Sequence, residues 1–206
     1  MYQILYFLAL FIGIIPLSIL LWKRRAFDKN EPIIPFIWLT AVATLYEFFG
    51  TEILKINTAY WFQLYSILEM VALFYYFFHL YRLRYKKILY FFAVVMASTF
   101  IISFLYWNVQ HVGQALAINT FSISLFVFFF SFCYFKDLLD DTKIDLWKKP
   151  SFYYTVGLSI YHASTFLLFL FSSYFFKNGD YNYWLVNIIA TLILRILLII
   201  GVWKTK

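Results

Sequence analysis

The sequence predicts an all-α membrane protein: a bundle of seven transmembrane helices, N-terminus outside and C-terminus cytoplasmic. Three observations predict it. Apolar stretches of about the 20 residues a bilayer span requires fill almost the whole 206-residue chain. Basic residues gather in every second gap between them. Tryptophans stand at their ends. Hydrophobic residues make up 64% of the chain and charged residues 13%, against about 45–50% and 25% in a soluble domain. Too few polar groups remain to cover a soluble surface.

The spans are predicted at 2–22, 33–53, 59–81, 88–107, 115–135, 151–176 and 182–203. They form one transmembrane domain over 1–206. Pro32, Pro35 and Pro150 stand where the second and sixth spans begin, and proline suits a first helical turn. Pro16 is a candidate kink in the first span. The first span lacks the basic leader of a cleaved signal peptide, and Lys23-Arg24-Arg25 holds its far end in the cytoplasm. Residues 136–150, with four lysines and four aspartates, read as a cytoplasmic loop.

The net charge of +7 follows from topology. Lys23, Arg24, Arg25 and Lys29 follow span 1. Arg82, Arg84, Lys86 and Lys87 follow span 3. Lys136, Lys143, Lys148 and Lys149 follow span 5, and Lys204 and Lys206 follow span 7. The positive-inside rule makes these ends cytoplasmic. Trp22, Trp61, Trp107, Trp147, Trp184 and Trp203 fall at predicted interfaces, and only Trp38 lies within a span. With the basic residues assigned to topology, nothing supports a nucleic-acid partner. The lone Cys133 excludes an internal disulfide and a multi-cysteine metal site.

A weak internal repeat is visible. Tyr60-Trp61-Phe62 in span 3 parallels Tyr183-Trp184-Leu185 in span 7, and Leu45-Tyr46-Glu47 parallels Ile160-Tyr161-His162. Spans 1–3 and 5–7 would be parallel copies joined by span 4, a 3+1+3 plan of the kind found in sugar transporters of the SWEET type.

Four spans carry polar residues at helical spacing. Thr40, Thr44, Glu47 and Thr51 share one side of span 2, and Gln63, Ser66 and Glu69 one side of span 3. Thr155, Ser159 and His162 line span 6, and Asn187, Thr191 and Arg195 line span 7. Span 1 has no such stripe. Counting about 1.5 Å per residue, Glu69 lies ~13 Å below the outer surface, Arg195 ~20 Å, His162 ~21 Å and Glu47 ~9 Å. A lone charge at mid-membrane costs about 2.5–3.5 kcal/mol on the mildest scale. Glu69 and Arg195 are therefore expected to pair, with Glu47 and His162 adjusting the charge. The candidate ligand- or proton-binding residues are Thr44, Glu47, Ser66, Glu69, Ser159, His162, Asn187, Thr191 and Arg195. The alternative also stands: Ser/Thr stripes serve as packing faces between membrane helices, and a buried pair can simply fix helix register.

The aspartates at 137, 140, 141 and 145 resemble one motif of membrane prenyltransferases, which need two; interleaved lysines favour a solvated loop. No phosphate loop, nucleophile elbow or zinc-binding pair is visible, so no cofactor and no metal are expected.

The composition, with Phe, Tyr, Ile and Lys prominent over Gly and Arg, and the Tyr-x₃-Glu element of Gln63-Leu-Tyr-Ser-Ile-Leu-Glu69, resemble small seven-helix proteins of flavobacterial type. The resemblance covers spans 2–3 and part of span 7, implies a multi-pass protein of a bacterial inner membrane, and brings no activity with it.

Three functions are compatible. The first is a transporter-like or receptor-like protein that binds a small-molecule ligand or proton between spans 2, 3, 6 and 7. The second is an accessory, regulatory or pore-forming subunit, as a homo-oligomer or with a membrane partner protein, for example in a defence system. The third is an intramembrane lipid-modifying enzyme using Glu or His as acid or base.

Overall fold

The computed structural model describes residues 2–56, 59–81, 84–107, 112–140, 145–170 and 184–205. The predicted span ends 171–176 and 182–183 lie outside the described residues. So do Arg82, His111, Asp141, Lys143, Lys177, Tyr183 and Lys206.

Among the described residues the chain forms seven α-helices: α1 (Tyr2–Trp22), α2 (Ile34–Tyr46), α3 (Ala59–Tyr81), α4 (Lys86–Ser103), α5 (Val112–Asp140), α6 (Pro150–Leu170) and α7 (Trp184–Lys204). A π-helical stretch, Glu47–Ile53, extends α2, and short 3₁₀ turns stand at Phe104–Tyr106 and Leu146–Lys148. Helix α5 runs five residues beyond the predicted 135, so part of the loop expected from Lys136 onward is helix. Six helices are long and apolar enough to cross a membrane, which makes this a multi-pass membrane protein by length and composition. The described part of α6 is less apolar because it carries Thr155, Ser159, His162, Ser164 and Thr165.

The packing neighbours run α1–α2–α3–α5–α6–α7 and back to α1. Six helices thus close a ring, and α4 packs outside it against α3 and α5. Helices α6 and α7 share the most extensive contact, and there Gly201 faces the buried Tyr154 ring; a Cβ at 201 would collide with it.

One end of the ring is filled with apolar side chains. Leu17 and Leu20 of α1, Ile37 of α2, Leu73 and Phe77 of α3, Phe126 and Phe130 of α5, Leu158 of α6 and Leu198 of α7 join one buried cluster. This is the end at which the basic residues collect. Its rim is tied by Arg84 to Asp137, Lys148 to Asp145 and Arg25 to Asp28. The Trp38 indole donates to the Ala26 carbonyl at 2.9 Å.

The C-terminal ends of α1 and α7 meet there too. Arg24 adopts φ 56° beyond the end of α1, and the Arg25 N–H bonds the Leu20 carbonyl at 2.8 Å. Lys23 then donates to the carbonyls of Val202, Trp203 and Thr205 at 3.2, 2.7 and 2.8 Å. A cation on the open carbonyls of a helix C-terminus is favourable. Trp22 stacks on Trp203, with ring centroids 6.1 Å apart.

Burial pushes the Glu31 carboxyl above its ordinary range, Asp28 adds to this, and Arg25 opposes it. Folding therefore disfavours its ionised form: the benefit of the protonated form is present at low pH and lost as pH rises through the raised value. Glu31→Gln is expected to raise the unfolding midpoint in detergent at neutral pH and leave it unchanged below the carboxylate range. A lowered midpoint at neutral pH would contradict this environment. Lys23→Met, which keeps the stem and removes the charge, is expected to cost about 1 kcal/mol in the same assay. No change would mean that the C-terminal carbonyls are satisfied without Lys23.

Candidate functional site

Opposite the apolar end, the ring encloses a cavity of about 300 Å³. That volume stands at the small end of the about 300–1,000 Å³ typical of ligand pockets. The polar stripes of α2, α3, α6 and α7 converge on it through Thr40, Glu47, Thr51, Ser66, Glu69, His162, Thr165, Asn187, Thr191 and Arg195. The lining ranges from Thr51, Trp61 and Asn187 near the helix ends to Thr40 and Arg195 further in.

Seven of the nine residues expected at a site line this cavity: Glu47, Ser66, Glu69, His162, Asn187, Thr191 and Arg195. Thr44 does not line it but is buried behind it, donating to the Thr40 carbonyl at 2.8 Å and accepting from Arg195 Nη2 at 3.0 Å. Ser159 does not reach it; its hydroxyl bonds back to the Thr155 carbonyl at 2.7 Å on its own helix.

The expected Glu69–Arg195 pair does not form. Among the described residues no salt bridge joins Arg195 to either glutamate. Arg195, 7% exposed, instead donates from Nη1 to the Ala9 carbonyl of α1 and from Nη2 to Thr44. The guanidinium fork reaches a helix carbonyl because that oxygen keeps a second lone pair and because the next turn of α1 holds Gly13. A Cβ at Gly13 would sit 2.8 Å from Arg195 Cζ and closer still to Thr44 Oγ1. Glu47 is the carboxylate whose charge acts on Arg195. Its helix changes pitch there: the Glu47 N–H is shared between the Ala43 and Thr44 carbonyls, and the Leu54 N–H reaches back to Phe49 at 3.0 Å. Such π-stretches recur at functional sites.

Three residues on the wall carry buried polar atoms with no partner: Glu69 Oε1, His162 Nε2 and Thr51 Oγ1. His162, 1% exposed, meets Ser124 only through Nδ1, at 3.4 Å. Ser66 is already committed, donating to the Gln63 carbonyl at 2.8 Å and accepting from Asn119 Nδ2 at 3.2 Å. Buried polar atoms nearly always have a partner, so three orphans around one cavity require an explanation.

The sequence reading missed the aromatic and α1 walls. Tyr6, Ala9 and Leu10 of α1, Trp61, Phe62 and Tyr65 of α3, Thr120 of α5 and Tyr161 of α6 also line it. The signal for α3 was present, since Trp61, Tyr65 and Glu69 share one face at i, i+4, i+8. For α1 the only signal was the pair of small residues Ala9 and Gly13 one turn apart. Among the described residues no three His, Cys, Asp or Glu side chains come together as a metal site. No protein-family model matches the chain, and no curated protein or solved structure is significantly similar to it.

Gly13→Ala is expected to push Arg195 off the Ala9 carbonyl and cost about 2 kcal/mol, in the range of core overpacking. Thermal unfolding in detergent reads this. A neutral effect would mean that the guanidinium moves aside freely and is not clamped to α1.

Proposed function

We propose that this protein binds a small ligand inside the membrane, in the cavity between α2, α3, α6 and α7, as a transporter-like or receptor-like protein. The observation that carries the reading is the set of unpartnered atoms on Glu69, His162 and Thr51 around a cavity of ligand size. Polar groups inside a membrane are expensive to hold without a partner and are typically functional. Arg195 and Thr44 hold the wall; Glu47, Glu69 and His162 supply the polar contacts; Asn187, Thr191 and Ser66 complete the lining.

The proposed orientation, N-terminus outside and C-terminus inside, follows the basic residues and makes the cavity face outward in a bacterial inner membrane. The ring contacts support the 3+1+3 plan: exchanging α1–α3 with α5–α7 turns the α1–α7 neighbour pair into α5–α3, which is also a neighbour pair. A pore through a single chain has less support, because Leu17, Leu20, Ile37 and Leu198 are buried in the apolar end of the ring. A pore between copies would have to run along the outside. A lipid-modifying enzyme would need a partner for His162 that activates a nucleophile, and among the described residues its ring hydrogen-bonds Ser124 alone and packs on Tyr161.

In a Cys133→Ser background, single cysteines at Thr51 and Thr191 are expected to react with a membrane-impermeant thiol reagent added from the side opposite the basic ends. Ser159→Cys serves as the control that stays unlabelled. Labelling of Thr51 and Thr191 from both sides would indicate alternating access and favour transport. Labelling of neither would mean a sealed packing core and would remove the ligand site.

A further inference from the structure

The wall of the cavity narrows the class of ligand, an inference that rests on the cavity being a ligand site. Glu69 is the carboxyl of the wall with an unpaired oxygen: it is 8% exposed, Oε1 has no hydrogen-bond partner, and no cation lies within salt-bridge distance among the described residues. Arg195, on the same cavity wall, is held by the Ala9 carbonyl and Thr44, and the carboxylate acting on it is Glu47. Two carboxylates therefore share the cavity with one guanidinium that is already held.

The rest of the wall near Glu69 is aromatic. On α3, Trp61 and Tyr65 lead to Glu69 one turn at a time, with Trp61 and Tyr65 ring centroids 6.4 Å apart. Tyr46 stacks flat on Trp61 at 4.3 Å and 19°, which fixes the indole plane. Tyr161 approaches from α6, and both Tyr65 and Tyr161 lie within electrostatic range of Glu69. Ring faces attract cations, most strongly when water is excluded. A carboxylate at the base of an aromatic wall suits a positively charged group carrying carbon substituents.

The other ligand classes fit less well. An anion would meet the carboxyl groups of Glu47 and Glu69, while the one guanidinium lining the cavity among the described residues has Nη1 and Nη2 bonds already formed. A neutral polyol could bond Glu69 but brings no positive charge to the ring faces of Trp61, Tyr65 and Tyr161. A hard metal ion takes 6 to 8 oxygen ligands or a near-complete water shell, and no cluster of three acidic, His or Cys side chains exists among the described residues.

We propose that the cavity binds a small organic cation, a primary to quaternary amine, with Glu69 as its counter-charge and Trp61, Tyr65 and Tyr161 as its aromatic enclosure. The test is binding of tetramethylammonium and ethylammonium chlorides to the purified full chain in nanodiscs, by calorimetry and thermal shift, with sodium chloride and sodium benzoate as comparisons. The organic cations are expected to bind and stabilise the protein. Glu69→Gln is expected to weaken them about tenfold or more, and Tyr65→Leu several-fold. Glu52→Gln, outside the cavity and beside Lys55, leaves binding unchanged and controls for surface charge. Glu69→Asp separates charge from packing: partial retention of binding fits a counter-charge, whereas loss equal to that of Glu69→Gln with unchanged unfolding contradicts it. Binding of benzoate in place of the cations would overturn the cation assignment while keeping the ligand site. Failure of both cations to bind, with Thr51 and Thr191 still labelled in the thiol assay, would also overturn the assignment alone. Unlabelled cysteines together with no binding would remove the site itself.

Discussion

A guanidinium buried among membrane helices must find acceptors inside the protein, and much of this structure follows from how Arg195 finds them. Its two terminal nitrogens go to a backbone carbonyl of α1 and a threonine of α2. One side chain on α7 thus joins three helices. The contact requires a glycine on α1, because a methyl group at position 13 would occupy the space of the guanidinium and of Thr44. Because α1 and α2 supply the bonds, neither glutamate of the cavity is needed as the direct partner of Arg195. Glu69 is thereby left with an unsatisfied oxygen, which a structural ion pair would not have left.

The ring has two unlike halves for the same reason. Toward the basic ends, large apolar side chains fill the interior, and the Lys23 contact with the last carbonyls of α7 fastens the closing pair of helices. Toward the other ends, polar and aromatic residues line a cavity instead. A bundle needing only stability would have packed both halves at interior density. The retained volume, the π-stretch at Glu47 and the unpartnered atoms of Glu69, His162 and Thr51 coincide, while other unpartnered atoms, among them those of Gln63, Asn119 and Tyr154, lie away from the cavity. Helix α4 stands apart from all of this, outside the ring, and contributes no residue to the lining.

Much of this could be read from the chain. Apolar length defined the helices, because bilayer thickness leaves little choice of length. Helical spacing brought Glu47, Glu69, His162 and Arg195 to one interior, because a charge facing lipid is so unfavourable. What could not be read was the partner of each charge. Sequence spacing marks the face of a helix but not its rotation or its distance from a neighbour, so depth alone suggested Glu69 for Arg195. The acceptor was a backbone carbonyl, present at every residue and therefore invisible as a pattern. Ser159 and Thr44 show the same limit: both sit on the expected stripe, yet one bonds its own helix and the other stands behind the cavity wall. The π-stretch also escaped prediction, since the residues 40, 44, 47 and 51 fit ordinary helical spacing.

The most direct test of this account is a pair of double-mutant cycles read by unfolding in detergent. The first combines Arg195→Leu with Thr44→Val, the second Arg195→Leu with Glu69→Gln. Residues in contact or in one hydrogen-bond network couple by about 0.5–3 kcal/mol, and residues more than about 7–10 Å apart with no shared partner are close to additive. The account predicts clear coupling between Arg195 and Thr44 and near-additivity between Arg195 and Glu69. Strong coupling of Arg195 to Glu69, with none to Thr44, would mean that the two charges form an ordinary structural pair and that Glu69 is not free to receive a ligand.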